Sequence, residues 1–243
     1  MPAAADLKLY GAASFPEDDV STAGGAISTT TKLEFTQFSA AAVAELVSDG
    51  ADVRTVTVAG RLASGVLDTE AIVLTGAVAV AGAKTWERIL KATTTSDAAR
   101  TVDLRQGVAG AVRLQVLPLI TKVIALFKDS TSETGVATRY EKGHFKNQHA
   151  TTALTAAVVK LTADPAARCK IGVHTSKGDT VTIANRKTAP AGITFVDDNV
   201  AAAVPTNALG AGENIGVWIE QTLPGSDPAT KSTFTLQLSG SSI

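Results

Sequence analysis

Short runs in which apolar and polar residues alternate with a period of two dominate this chain. Val56 and Val58 alternate with Thr55 and Thr57; Val112, Leu114 and Val116 with Arg113 and Gln115; Cys169, Ile171 and Val173 with Arg168, Lys170 and His174. Ile215, Val217 and Ile219 alternate with Asn214, Gly216, Trp218 and Glu220, and Phe234, Leu236 and Leu238 with Thr233, Thr235 and Gln237. Successive side chains of a strand point to opposite faces, so each pattern gives a strand with one buried and one wet face. Turn-forming clusters punctuate the runs: Ser48-Asp49-Gly50, Ala63-Ser64-Gly65, Lys177-Gly178-Asp179 and Pro224-Gly225-Ser226-Asp227-Pro228. Few stretches could serve as the helical crossovers that a parallel sheet requires. Ser39 to Val47 reads equally as a helix capped by Ser39 or as a strand. Leu114 to Phe127 is apolar but interrupted by Pro118, and reads as strand, crossover, strand.

The expected fold is therefore all-β, with two antiparallel β-sandwich domains of immunoglobulin-like or jelly-roll-like type. The expected divisions are an extended N-terminal arm or first strand over 1–30, a β domain over 31–118, and a sandwich over 119–243, joined near Pro118–Lys122. The arm rests on the small, Ser/Thr/Gly-rich stretch Ser21 to Thr31. At 243 residues the chain can bury a core without staples, and its single Cys169 excludes an internal disulfide framework. Net charge is −1 with both signs interspersed, which gives no electrostatic footprint for nucleic acid or an acidic membrane surface. The uncharged, largely apolar run Ala71 to Ala83 is too short to span a bilayer.

Candidate chemical sites do not converge on a reaction. His144 and His149 are five residues apart, not at a zinc-protease spacing, and all three histidines, with His174, are expected at surfaces or interfaces. Gly210-Ala211-Gly212-Glu213-Asn214-Ile215-Gly216 is one residue too long for a dinucleotide fingerprint and leads into a strand, so it reads as a hairpin connection. Asp197-Asp198-Asn199 offers hard oxygens to calcium but no distal bidentate Glu, and reads as an acidic loop. Cys169 falls on an apolar strand face, as an inert thiol would. No catalytic, cofactor or metal residues are assigned. The aromatic and charged cluster Arg139, Tyr140, His144 and Phe145, together with Trp86 and Trp218, suits a contact surface, because Trp, Tyr and Arg are enriched there. Trp218, on the polar face of its strand, needs cover from its own domain or from another chain.

Several segments resemble structural proteins of tailed bacteriophages. They are Thr138-Arg139-Tyr140-Glu141-Lys142, Lys146-Asn147 followed by His149-Ala150-Thr151, Leu161 to Pro165, Asn185 to Phe195, Ile215 to Trp218 and Lys231 to Thr235, with Val56 to Arg61 and Thr85 to Leu90 in the first half. The resemblance implies a non-enzymatic virion component assembled in the host cytoplasm, most simply a head decoration or cement protein. Its implied partners are copies of itself, the major capsid protein and neighbouring virion proteins, with no cofactor, nucleic acid or membrane. A tail or baseplate component and a receptor- or carbohydrate-binding module are the alternatives.

Overall fold

The computed structural model describes residues 2–33, 35–97, 99–127, 133–226 and 233–241. Asp227, Pro228, Lys231, Ser232 and part of the segments named above lie outside them. The fold is all-β, 55% strand and 3% helical, as the alternation predicts. In chain order the strands are β1 (Leu7–Ser14), β2 (Ala23–Lys32), β3 (Ala42–Ser48), β4 (Thr55–Leu62), β5 (Leu67–Val73) and β6 (Val80–Thr94). There follow β7 (Val102–Gln106), β8 (Val112–Val116), β9 (Lys122–Ile124), β10 (Ala137–Asn147), β11 (Leu154–Ala163) and β12 (Cys169–Lys177). The last are β13 (Thr182–Ile183), β14 (Ala201–Ala203), β15 (Ala208–Leu209), β16 (Asn214–Leu223) and β17 (Thr235–Ser241). Ser39 to Val47 resolves in favour of a strand, β3, and the Pro118 segment is the crossover between β8 and β9.

The chain divides into two compact units, Thr29–Lys128 and a second made from Met1–Ser28 with Asp129–Ile243. The expected boundary near 118–122 thus moves to 28/29 and 128/129, and the first 28 residues belong with the C-terminal half. The reason is pairing. β1 runs antiparallel to β10, with Leu7 opposite Asn147 and Gly11 opposite Gly143, which makes it an inner strand rather than an arm. Nothing in a local stretch of Gly, Ser and Thr announces a partner more than a hundred residues away.

In the 29–128 unit the long strand β6 organises the sheet. Its first half pairs with β3, its second half with β4 on one side and β9 on the other, and β7 and β8 extend the sheet beyond β3. Trp86 stands where the pairing changes over, opposite Ala42 of β3 and Leu62 of β4, and is fully buried. Where β6 departs from regular register, the Gln37 amide substitutes for a strand: its Oε1 accepts from Ile89 N–H at 3.0 Å and its Nε2 donates to Ile89 O. Leu46, Leu104 and Leu114 lie in one cross-strand row on β3, β7 and β8, all buried. Opposed side chains of this kind are the unit of sheet stabilisation.

The other unit holds two sheets. One runs β12, β16, β10, β1 and the first half of β2, with β13 paired to β2; the other has β11 at its centre, with β17 along one side and β14 and β15 pairing elsewhere on it. β10 and β16 are inner strands and buried on both faces; for β16 alternation alone predicted one wet face. The Gly210–Gly216 segment is a crossing and not a hairpin: β15 pairs with β11 whereas β16 pairs with β10 and β12.

Replacing Leu104 by Ala is expected to cost about 2–5 kcal/mol, since a cavity opens between Leu46 and Leu114. The measurement is the urea midpoint of the 29–128 unit, which falls with little change in slope.

Candidate functional site

The densest collection of chemically capable side chains lies along β10. Alternation puts Tyr140, Lys142 and His144 on one face and Arg139, Glu141 and Phe145 on the other. Arg139, Glu141, Lys142 and His144 are each 3% exposed or less, far below what charged residues tolerate without partners. Each is therefore built into a network.

On the first face, Lys142 Nζ pairs with Asp179 and donates to the carbonyls of Gly25 (3.0 Å) and Val181 (3.1 Å). Trp218, opposite Lys142 in register on β16, lays its ring 5.4 Å from the ammonium. Burial lowers the Lys142 pKa, against the opposing pull of Asp179. His144 Nε2 meets the same Gly25 carbonyl at 3.1 Å and its Nδ1 meets Asn214 Oδ1 at 3.2 Å. Burial, helped by the charge of Lys142, pushes the imidazole down from 6.5 to about 4, so it is neutral near pH 7. Glycine makes the close packing feasible. A Cβ on Gly24 would sit 2.7 Å from the Trp218 ring, and Gly24 has φ +96, which disfavours a side chain on its own account.

Around the second face, Arg139 grips Asp19 with Nε (2.9 Å to each carboxylate oxygen) and Nη2 (2.7 Å), and reaches Glu133 at 2.8 Å. Arg186 pairs with Glu141 at 2.9 Å, and Lys187 with Glu133 at 2.6 Å. The hydrogen bonds from Arg139 hold the Asp19 carboxyl below its ordinary range. This network fastens the 15–22 and 184–188 connections to β10.

The six residues expected at a contact surface are all buried within the chain: Trp86, His144 and Trp218 fully, Arg139, Tyr140 and Phe145 to 9% exposed or less. Tyr140 and Trp218 pack together in the interior with His144 on the same face of β10, Arg139 is buried in the network of the opposite face, and Trp86 belongs to the other unit. The correction has a simple cause. Trp218 is covered by its own unit, with Ala23, Tyr140 and Ile183 against it and Ile193 and Phe195 beside them, and the Tyr140 and Phe195 rings meet at 5.5 Å, tilted by 50°. His144 likewise leaves the surface position expected for it. His149 Nδ1 accepts from the Thr151 and Thr152 N–H groups, closing a local turn. His174 lies 3.8 Å from Asp179.

The remaining candidates are accounted for locally. Glu213 fills the Gly210–Gly216 loop by accepting from Gly210 N–H at 2.6 Å and pairing with Lys177 at 2.6 Å. Asp197 pairs with Lys170 at 3.1 Å and Asp198 accepts from Asn199 Nδ2 at 2.9 Å. Among the described residues no group of three or more His, Cys, Asp or Glu is placed to hold a metal ion, and no helix is long and apolar enough to cross a membrane. Asp179 and Arg186, central to the two networks, were missed by sequence reasoning: one sits in a turn signal and the other in a polar stretch. The available hint was a strand with ionisable groups on both faces. Compared with family models, curated proteins and solved structures, the chain matches none.

Two outcomes follow from the titrations. His144 has its folded pKa below its unfolded one, so its stabilisation is complete above about pH 6.5 and is lost as pH falls toward about 4. The loss approaches about 3 kcal/mol. It is checked by thermal melts across that range, compared with His144→Gln, which should show a shallower decline. Burial raises the Cys169 thiol to about 12, so native protein should resist a disulfide reagent that labels it fully in denaturant.

Proposed function

We propose that this chain is a non-enzymatic structural protein of a tailed-bacteriophage particle, a head decoration protein that binds the capsid shell as an oligomer and ties neighbouring subunits together. The observation that carries this reading is the open edge of the 29–128 unit. Among the described residues β5 pairs as a strand with β4 alone, so its other edge has no strand hydrogen-bonded to it in register. On its outward face Leu67, Thr69, Ala71 and Val73 are exposed, Leu67 at 64% and Val73 at 54%. Long apolar edges invite pairing with another chain, and an assembled particle covers them. The opposite face of β5 is tied down, by Asp68 to Lys84 at 2.5 Å and by Ile72 in the core, so the outward face is presented on a firm support.

The chemistry-bearing residues support a scaffold in the same sense. Lys142, His144, Arg139 and Glu141 are spent on internal bonds, which leaves them no free valence for a substrate. The reading includes a sandwich for the unit containing β10, supported by the packing of β11 and β14 against β12 across its two sheets. A carbohydrate-binding role draws no support, because neither Trp86 nor Trp218 is available as a platform.

The experiment is sedimentation of purified chain with capsid shells. Leu67→Asp with Val73→Asp should leave circular dichroism unchanged and weaken binding at least tenfold. Binding that survives the double change would move the contact elsewhere, and failure of the unaltered chain to bind shells would overturn the reading.

A further inference from the structure

The Lys142–Asp179 pair is an ion pair held deep inside the fold. Its two groups are almost completely enclosed, 0% and 2% exposed. The ammonium has its three acceptors, but the carboxylate does not share that completeness. Oδ1 receives Lys142 Nζ and the Val181 N–H at 3.2 Å, with His174 Nε2 at 3.8 Å. Oδ2 is buried and has no hydrogen-bond partner. An enclosed carboxylate oxygen without a partner forfeits its hydration with nothing in return, which a settled ion pair would be expected to avoid.

The chamber is also shaped around that oxygen. A Cβ on Gly216 would lie 2.2 Å from Asp179 Oδ2 and 2.8 Å from Lys142 Cε. Glycine at this position of β16 leaves room for both groups to approach. The Trp218 ring and the β2 backbone at Gly24 and Gly25 enclose the other sides.

We propose that Lys142 Nζ and Asp179 Cγ join in an intramolecular amide bond, linking β10 to the turn that follows β12. The step needs no other reagent. One proton passes from the ammonium to the carboxylate, which removes both charges from a chamber hostile to them. The Nζ lone pair forms the new bond to Cγ, while the Val181 N–H at Oδ1 stabilises the negative charge that develops there. The Cγ–Oδ2 bond breaks, and Oδ2 departs as water with the acid proton and one further proton from the nitrogen. Ammonium plus carboxylate gives secondary amide plus water. The nucleophile and electrophile are held in contact by the fold, so the reaction has the advantage of proximity. The neutral His144 beside Lys142 adds no opposing positive charge.

The test is the intact mass of the folded, purified chain under denaturing conditions, followed by protease mapping. The expected mass is one water below that of the sequence after any N-terminal trimming, with a branched peptide containing both Lys142 and Asp179. Asp179→Asn should still react and lose one ammonia instead, whereas Lys142→Arg should show the full mass. Circular dichroism of each variant establishes that it is folded. Full mass for the folded unaltered chain overturns the proposal, as does a water loss whose branched peptide joins other residues or is absent.

Discussion

Burial of charge on β10 is the constraint around which the C-terminal unit is arranged. An inner strand with neighbours on both edges and cover on both faces offers water to few of its side chains. Placing Arg139, Glu141, Lys142 and His144 there is tolerable only if each finds a complementary group. The complementary groups come from distant parts of the chain: Asp19 and Gly25 from the first 28 residues, Asp179 and Arg186 from the connections after β12, Asn214 from β16. Removing one partner would strand the other, so the network acts as a lock on which segments may pack together. That explains how Met1–Ser28 becomes part of a unit otherwise built from the second half of the sequence.

The two units solve the problem of a sheet differently. The 29–128 unit relies on rows of aliphatic side chains, such as Leu46, Leu104 and Leu114, and on one long strand shared among three partners. It leaves an edge, β5, with apolar side chains in solvent. The other unit relies on specific ion pairs and close glycine approaches, and keeps its large rings inside. A role in assembly sits naturally on the first kind of surface. Resistance to opening sits naturally on the second kind of interior, and a covalent tie between β10 and the turn after β12 would extend it.

Much of the fold was legible in the residues. The period-two runs at Val56, Val112, Cys169, Ile215 and Leu236 all became strands, because alternation is a local property of a pleated chain with one apolar side. Ala63-Ser64-Gly65 became the β4–β5 turn, with Gly65 at φ +87, a conformation glycine adopts without strain. The candidate site was legible only as a dense cluster around Arg139 to Phe145. Its reading as a surface was reasonable for charged residues taken one at a time and failed because their partners lie elsewhere in the sequence.

Composition and alternation by themselves determined that this chain would be all-β, because strand formation depends on neighbouring residues. Which strands are inner, and so which polar residues are enclosed, was decided by tertiary structure. Exposure depends on what lies across the sheet, and β1 against β10, Asp179 beneath Gly216 and Ile193 beside Trp218 are encounters that no local pattern specifies.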